Sequence, residues 1–427
     1  MAQHDLFNVA QQAYYALADF RERRKRLIDF AFGNQWIDST FDFDNNTLSE
    51  AEFARLKGQN TVTINLLRRL IRTLIGKYRS TTSETYSTAE TSTERLNSLA
   101  ELDARLLEEY IISGCAIQRI CNERRPAGTG VWIDNIDPDR FFVNQFYDSR
   151  GLDINLIGTV HEFTWSQFLN RFSNKNVQKA SKLKAIFNSC AGRATTFTDQ
   201  PQSVFTPVAQ MQSDQLCRVI EVWTYEPSAT KASATACQME WHVRFFTDDG
   251  TMVHHRTSPY PHKAHPFVVK LYPLINGRVH SFIEDLIEPQ KAINRLLSSF
   301  ELSMATAAKG VLLFPQNQLV KPLNIDDVGR MWARHNSVIP IRGNGDMPVQ
   351  LYSNPSTAGI IPLIEMQLHL FDEASGISAA IRGEQLSSSL STETARTILA
   401  NAEAGVADLL ESFKAFIDTR NQKVKRT

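Results

Sequence analysis

Along the first third of the chain, apolar residues recur every three to four positions. Leu6, Val9/Ala10, Ala13, Leu17 and Phe20, continued by Leu27, Ile28 and Ala31, predict one long amphipathic helix. Gly33 is suited to a left-handed cap at its end. The run Arg21-Glu22-Arg23-Arg24-Lys25-Arg26 lies inside this helix and reads in two ways, as a solvated face or as a surface for DNA or an acidic neighbour. A second helix is predicted over 65–79, with Leu67, Leu70/Ile71, Leu74/Ile75 and Tyr78 on one side and Arg68, Arg69 and Arg72 on the other. The Ser, Thr and Glu residues of 80–93 have linker composition. A third helix, 94–113, carries Leu96, Leu99, Leu106 and Tyr110 and stops at Gly114.

From Gly114 onward the period falls to two. Residues 117–122 and 131–136 alternate like paired strands around a Pro/Gly turn, and 141–143 is a short strand after Asp137-Pro138. Residues 174–215, rich in Asn, Gln, Ser and Thr, read as a long surface excursion. Residues 216–225 and 238–247 are strand-like, and Asp249-Gly250 predicts a hairpin turn into 251–256.

The helical period returns in the last third. Leu286, Ile293, Leu296/Leu297, Phe300, Met304 and Ala307 mark a helix over 285–308, about 36 Å long at about 1.5 Å per residue. Residues 310–355 are mixed and turn-rich, with strands expected at 311–314 and 338–341 and a short helix at 325–333. Residues 362–374 form another apolar helix, where Pro362 is tolerable only in the first turn. A Ser-rich stretch then leads to a final helix with Ser391 as N-cap, Glu393 at its positive start, and a stripe of Ile398, Ala402, Val406, Leu409 and Phe413. The two helices flanking 310–355 are apolar around more than half their circumference. That pattern calls for burial on several sides, and packing against symmetry copies supplies it.

Composition narrows the function. Lys+Arg and Asp+Glu are both 46 in 427 residues, so net charge is zero, whereas a protein that coats DNA draws its affinity from excess cations. The 25 phenylalanines imply much buried or interfacial area. Cys115, Cys121, Cys190, Cys217 and Cys237 form no CxxC pair, which argues against a zinc ribbon or a disulfide framework, and Cys115 and Cys121 read as small core residues. No run of about 18 apolar residues offers a membrane span. The sequence lacks GxxxxGK[ST], GxGxxG, HExxH and GxSxG. His254, His255, His262 and His265 are the best candidate metal ligands, but Pro259, Pro261 and Pro266 make their segment a strand-edge loop bearing surface histidines. Asp137-Pro138-Asp139 reads more simply as a turn than as half of a carboxylate site. Neither a catalytic centre nor a cofactor is implied.

The order of elements resembles that of bacteriophage portal proteins, the head-to-tail connectors of tailed phages, over nearly the whole chain. Phe32-Gly33-Asn34-Gln35-Trp36 after the Arg-rich helix is similar to the family's opening region, and 65–79 to its next helix. The passage from Glu109 to Ala116 and on to Ile136-Asp137-Pro138 resembles the family's helix–glycine–strand passage, and Ile220-Glu221-Val222-Trp223 its Glu-containing strand. Ile287-Glu288-Pro289-Gln290-Lys291-Ala292-Ile293-Asn294-Arg295 is the closest match and resembles the start of a stem helix.

The resemblance implies a helix-rich α+β portal fold assembled as a ring: a wing over 1–282, stem helices over 283–309 and 356–375, a clip over 310–355, a tunnel loop over 376–390, and a long wing helix over 391–427 with its crown reduced or absent. Stem packing would fall to Ile293, Leu297, Phe300, Met304, Leu363 and Leu370; clip docking to Arg330, Trp332, Arg334 and Arg342. The DNA-facing loop would present Ser378, Ile381, Arg382, Glu384, Gln385, Ser387 and Ser388. The implied partners are copies of the chain, commonly twelve, double-stranded DNA in the channel, the packaging ATPase (terminase large subunit), capsid and scaffolding proteins, and adaptor and tail proteins. The implied location is the portal vertex of the virion, with assembly in the host cytoplasm. Zero net charge suits a channel in which DNA slides, since a basic lining would grip phosphates. The rival readings are a metal-dependent phage DNA-processing enzyme and another structural adaptor or collar protein.

Overall fold

The computed structural model describes residues 3–42, 44–88, 92–125, 128–173, 176–190, 216–228, 238–309, 311–333, 338–343, 345–351, 359–377 and 392–427. In chain order the elements begin with α1 (Gln3–Ala16), α2 (Ala18–Phe32), β1 (Ser39–Phe41), β2 (Thr47–Ser49), α3 (Glu50–Leu56), α4 (Leu66–Thr88), α5 (Ser92–Asn97) and α6 (Leu99–Ser113). Strands β3 (Cys115–Arg125), β4 (Gly128–Asn135), β5 (Phe141–Val143) and β6 (Leu156–Phe163) precede α7 (Trp165–Phe172) and α8 (Val177–Cys190). Next come β7 (Cys217–Pro227), β8 (Met239–Thr247), β9 (Met252–Thr257), β10 (Phe267–Leu271), β11 (Leu274–Ile275) and β12 (Arg278–Val279). The chain closes with α9 (Ile287–Lys309), β13 (Val311–Leu313), α10 (Ile325–Ala333), β14 (Val349–Leu351), α11 (Ile360–Ser375) and α12 (Thr392–Lys425).

These elements form two compact units. The first comprises Met1–Gly33, Asn65–Ile287 and Glu373–Thr427; the second comprises Asn34–Ile64 and Glu288–Asp372. The first unit holds an antiparallel five-stranded sheet in the order β5-β6-β7-β8-β9 and a three-stranded sheet in the order β10-β3-β4. Alternation along β7 sends Val219 and Trp223 into one core with Phe168, Phe172, Phe187 and Phe267, and Ile220 and Val222 into another beneath Leu6, Ala10 and Tyr14 of α1. Helix α12 reaches the first unit's core through Phe413, which packs against Tyr110 and Tyr78.

The strongly periodic segments lie where the pattern places them. Strands β3 and β4 pair from Gln118–Asn135 to Arg125–Gly128, Asp249-Gly250 turns β8 into β9, and α10 spans the predicted residues. Cys115 and Cys121 are buried. Elsewhere the structure corrects the pattern. The N-terminal helix is two, broken at Leu17, and Arg21 folds back to donate 2.8 Å to the Tyr14 carbonyl at the break while stacking on the Tyr14 ring. The basic run is therefore only partly a solvated face, because Arg21 and Arg24 are buried. Arg24 donates to both Glu109 oxygens at 2.7 and 2.9 Å and to Asp139 at 2.8 Å, with Asp137 at 3.3 Å. Asp137-Pro138-Asp139 is a capped turn, as read, and its carboxylates also serve this guanidinium.

Residues 80–88 are not linker but the continuation of α4, where Ser80, Thr81 and Thr82 hydroxyls bond back to the Lys77 and Tyr78 carbonyls. The third helix is split by Ser98 at φ 49°, while Asn97 bonds the backbone of Val131 and Ile133 in β4. In the expected excursion, 177–190 is α8, anchored by buried Leu183, Phe187 and Cys190; residues 191–215 lie outside the described residues. Residues 338–341 are not a strand, since β13 pairs instead with 349–351.

Two predictions concern α12. Arg420 and Asp103 form an ion pair with both side chains essentially removed from solvent. Arg420→Ala leaves that buried carboxylate without its guanidinium counter-charge, and urea denaturation should record a loss of about 3–5 kcal/mol. Near the helix end Lys423 donates 2.7 Å to the Phe267 carbonyl, and burial pushes its ammonium down to about 7. Burial and the neighbouring Lys423 also lower His262, to about 4, and His265. All three groups bind protons more weakly folded than unfolded, so the unfolded chain takes up more protons and stability rises with pH. The rise runs from about 4 to 6.5 through His262 and from about 7 to 10.5 through Lys423. Its slope is at most about 1.4 kcal/mol per pH unit for each proton. Unfolding measured between pH 7 and 10 should show the upper limb in the unaltered chain and a flattened one in Lys423→Met.

Candidate assembly surface and channel residues

The second unit is organised around α9, whose sequence carries two polar stripes. Gln290, Asn294 and Ser298 recur at four-residue spacing and so share one line on the helix. That line receives extended backbone: Gln290 Nε2 donates 2.7 Å to the Ile64 carbonyl, Ile64 N–H donates 3.1 Å to Asn294 Oδ1, and Val62 N–H donates 2.9 Å to Ser298 Oγ. Asn294 also donates 2.6 Å to Gln35 Oε1. All three stripe residues are buried. One position along, Lys291 meets Asp38 and lies 2.9 Å from Glu50, which also accepts from Arg295 at 2.7 Å. Burial opposes the Lys291 charge, but the two carboxylates outweigh it and hold the pKa above the ordinary lysine value. These polar residues fix the helix within its unit. Sequence reasoning followed the apolar stripe and missed them, although the four-residue recurrence was there to be read.

The expected stem-packing residues divide. Ile293 is buried within the chain, Leu297 and Phe300 are half-buried, and Met304 is 48% exposed. Helix α11, with Pro362 in its first turn, is exposed along most of its length. Ile361, Leu363, Met366, Leu368 and Leu370 are all exposed, Ile361 to 51%, and only Phe371 is buried among the large apolar residues of the helix. Most of the exposed large hydrophobic side chains among the described residues belong to this second unit. An apolar helix left in water forfeits about 25 cal/mol for every Å² that a partner could cover.

Between the helices, β13 and β14 form a two-stranded ribbon with Leu313, Val349 and Leu351 exposed. Helix α10 buries Val328; the Asn324 N–H donates 3.0 Å to Asp327 at its start. Arg330 projects into solvent with Asp327 at 4.0 Å, and Trp332 is half-buried. Arg342 is exposed, its backbone N–H 3.4 Å from the Gln318 carbonyl. Arg334, Ser391 and the loop residues Ser378, Ile381, Arg382, Glu384, Gln385, Ser387 and Ser388 lie outside the described residues.

The histidines do not converge on one point. His254 stacks on Phe245, His255 on His242, His262 on Tyr260, and His265 meets Trp241 edge-on. They pack against aromatic neighbours, and His265 is half-buried where a surface position was expected. Among the described residues no group of three or more His, Cys, Asp or Glu is placed to hold a metal ion.

Asn294→Ala should destabilise the chain by about 1–3 kcal/mol, because it removes the acceptor of the Ile64 N–H and the donor to Gln35 Oε1. Equilibrium unfolding measures the loss, and unchanged stability would remove the stripe from the folding account.

The model of the phage P22-like portal protein family matches residues 152–423, from β6 through nearly all of α12. No curated protein matches the chain.

Proposed function

Because the chain belongs to the phage P22-like portal protein family, we propose that it is the subunit of a non-enzymatic ring, commonly of twelve copies. That ring would conduct double-stranded DNA into and out of the capsid at one vertex. In this reading α9 and α11 are the stem and residues 310–355 are the clip on which the packaging ATPase, the terminase large subunit, docks. Residues 376–390 are the tunnel loop facing DNA, and α12 is the long wing helix. Capsid or scaffolding proteins surround the ring, and adaptor and tail proteins later take the clip. The protein is a component of the virion, assembled in the host cytoplasm.

The observation that carries the ring is α11. Its exposed Ile361, Leu363, Met366, Leu368 and Leu370 lie on opposite sides of the helix, so a single neighbouring element would leave part of that surface wet. Copies on either side cover both faces at once, and a heterologous contact that repeats by rotation closes into a ring. The α9 polar stripes are consistent with this division, since they are satisfied by the chain itself.

Native mass spectrometry and electron microscopy of the purified chain should show rings with a central channel. Leu363→Glu with Leu370→Glu places charges on the proposed contact and should convert rings into folded monomers or small oligomers, a shift of more than tenfold in the assembled fraction. A stable monomer over a wide concentration range would overturn the proposal, as would rings unaffected by the two charges.

A further inference from the structure

Glu221, in the strand resembling the family's Glu-containing one, joins the two sheets through Arg119 and lies in a charged cluster that extends beyond that pair. The register Arg256–Val243–Trp223 sets Arg256 on the same sheet face as Trp223, and therefore as Glu221 two residues earlier. Glu221 is fully buried and accepts from Arg119 at 3.1 Å, from His161 Nε2 at 2.8 Å and from Trp223 Nε1 at 2.7 Å. Burial opposes its ionisation, but Arg119 and His161 prevail and keep it a carboxylate well below the ordinary range.

The cations around it are not all matched. The Arg119 Nε–H is buried and has no acceptor among the described residues. Arg171 of α7 reaches Glu123 at 3.0 Å, but Glu123 is shared with Arg125, which also holds Asp134. The Arg256 side chain makes no hydrogen bond or ion pair among the described residues, and the charges of Arg171 and Glu221, with Tyr260 and Arg119, act on it. Arg119, Arg125, Arg171 and Arg256 thus stand against Glu221, Glu123 and Asp134, an excess of one positive charge. Access is graded: Arg256 is exposed, the Arg171 side chain is 33% exposed, and Arg119 is buried.

We propose that Arg119, Arg171 and Arg256 form a phosphate-binding site on this face of the first unit, with Arg256 and Arg171 at the mouth and Arg119 at the floor. A guanidinium offers paired N–H donors to an oxyanion. Three guanidinium groups from three elements suit a tetrahedral phosphate, whose oxygens point in several directions, better than a planar carboxylate. The phosphate gives the Arg119 Nε–H an acceptor and Arg256 a counter-charge. It is either the free ion or a unit of a nucleic-acid backbone, and the same contacts serve both.

Calorimetric titration of the full chain at fixed ionic strength, with inorganic phosphate and separately with a short DNA duplex, tests the site. Arg256→Gln should weaken phosphate binding at least about tenfold, the scale of a charge-assisted hydrogen bond. It should leave thermal stability unchanged, because Arg256 makes no hydrogen bond or ion pair among the described residues. Arg171→Gln, which keeps a hydrogen-bonding partner for Glu123, is the second variant should Arg256→Gln fold poorly. Binding of phosphate alone, weakened by the variant, supports a free-ion site; binding of duplex as well, weakened in parallel, supports a nucleic-acid site. Absence of phosphate binding, or an unchanged affinity in a folded Arg256→Gln chain, overturns the inference. Ring formation is read separately, so either result leaves the portal assignment untouched.

Discussion

A guanidinium withdrawn from water costs several kcal/mol unless carboxylates meet it, and the first unit is held in register by places where they do. Arg24 joins α2 to Glu109 in α6 and to the carboxylates of the turn before β5. Arg420 joins the last helix to Asp103, also in α6. Arg119 joins the three-stranded sheet to Glu221 in the five-stranded one. Each pair links elements far apart in sequence, and none tolerates the loss of one partner. Apolar packing supplies the bulk of the burial, yet many arrangements of Phe and Leu bury similar area. A buried ion pair accepts one arrangement, because a shifted helix leaves a charge alone.

That constraint explains what was readable in the sequence. Elements whose apolar period is long and whose partners are local were legible: α10, the strand pair β3–β4, the Asp249-Gly250 hairpin, and α9 to within two residues at its start. Elements defined by distant partners were not. Strand β6 pairs on one side with the three-residue β5 and on the other with β7, which follows only after α7 and α8, and its buried Leu156–Val160 does not alternate. Strand β13 takes its partner from across more than thirty residues, past a segment of equal strand propensity at 338–341. The basic run was ambiguous because charge alone does not say whether a carboxylate waits on another element; Arg24 found three. Helix α4 ran on through a Ser/Thr-rich segment because its hydroxyls bond to the preceding turn, a local device that composition conceals.

The candidate site was legible in one half of its chemistry. The apolar positions of α9 and α11 stood out by spacing, and α11 does carry them into solvent. The polar positions of α9 sat inside the best family-like segment, and they prove to be the acceptors and donors for residues 62–64. The loop expected to face DNA carries small residues, Arg382 and Glu384, and its assignment rests on the resemblance and the family match alone.

The contrast between the two helices bears on how assembly and folding are coupled. Helix α9 has its polar groups satisfied within the chain, so its position does not wait for a neighbour. Helix α11 has an apolar surface that the other described residues leave uncovered, and in the proposed ring neighbouring copies would cover it. Association through such a surface adds stability by mass action, RT ln(1 + [L]/Kd) for a partner at concentration [L]. If copies assemble as proposed, the second unit gains stability with subunit concentration, while the first, closed by its own ion pairs and cores, does not. A subunit of the proposed ring built this way would fold its sheets before assembly and consolidate its apolar helix only in the assembly. It thereby limits the time during which five large apolar side chains on one helix are open to other partners.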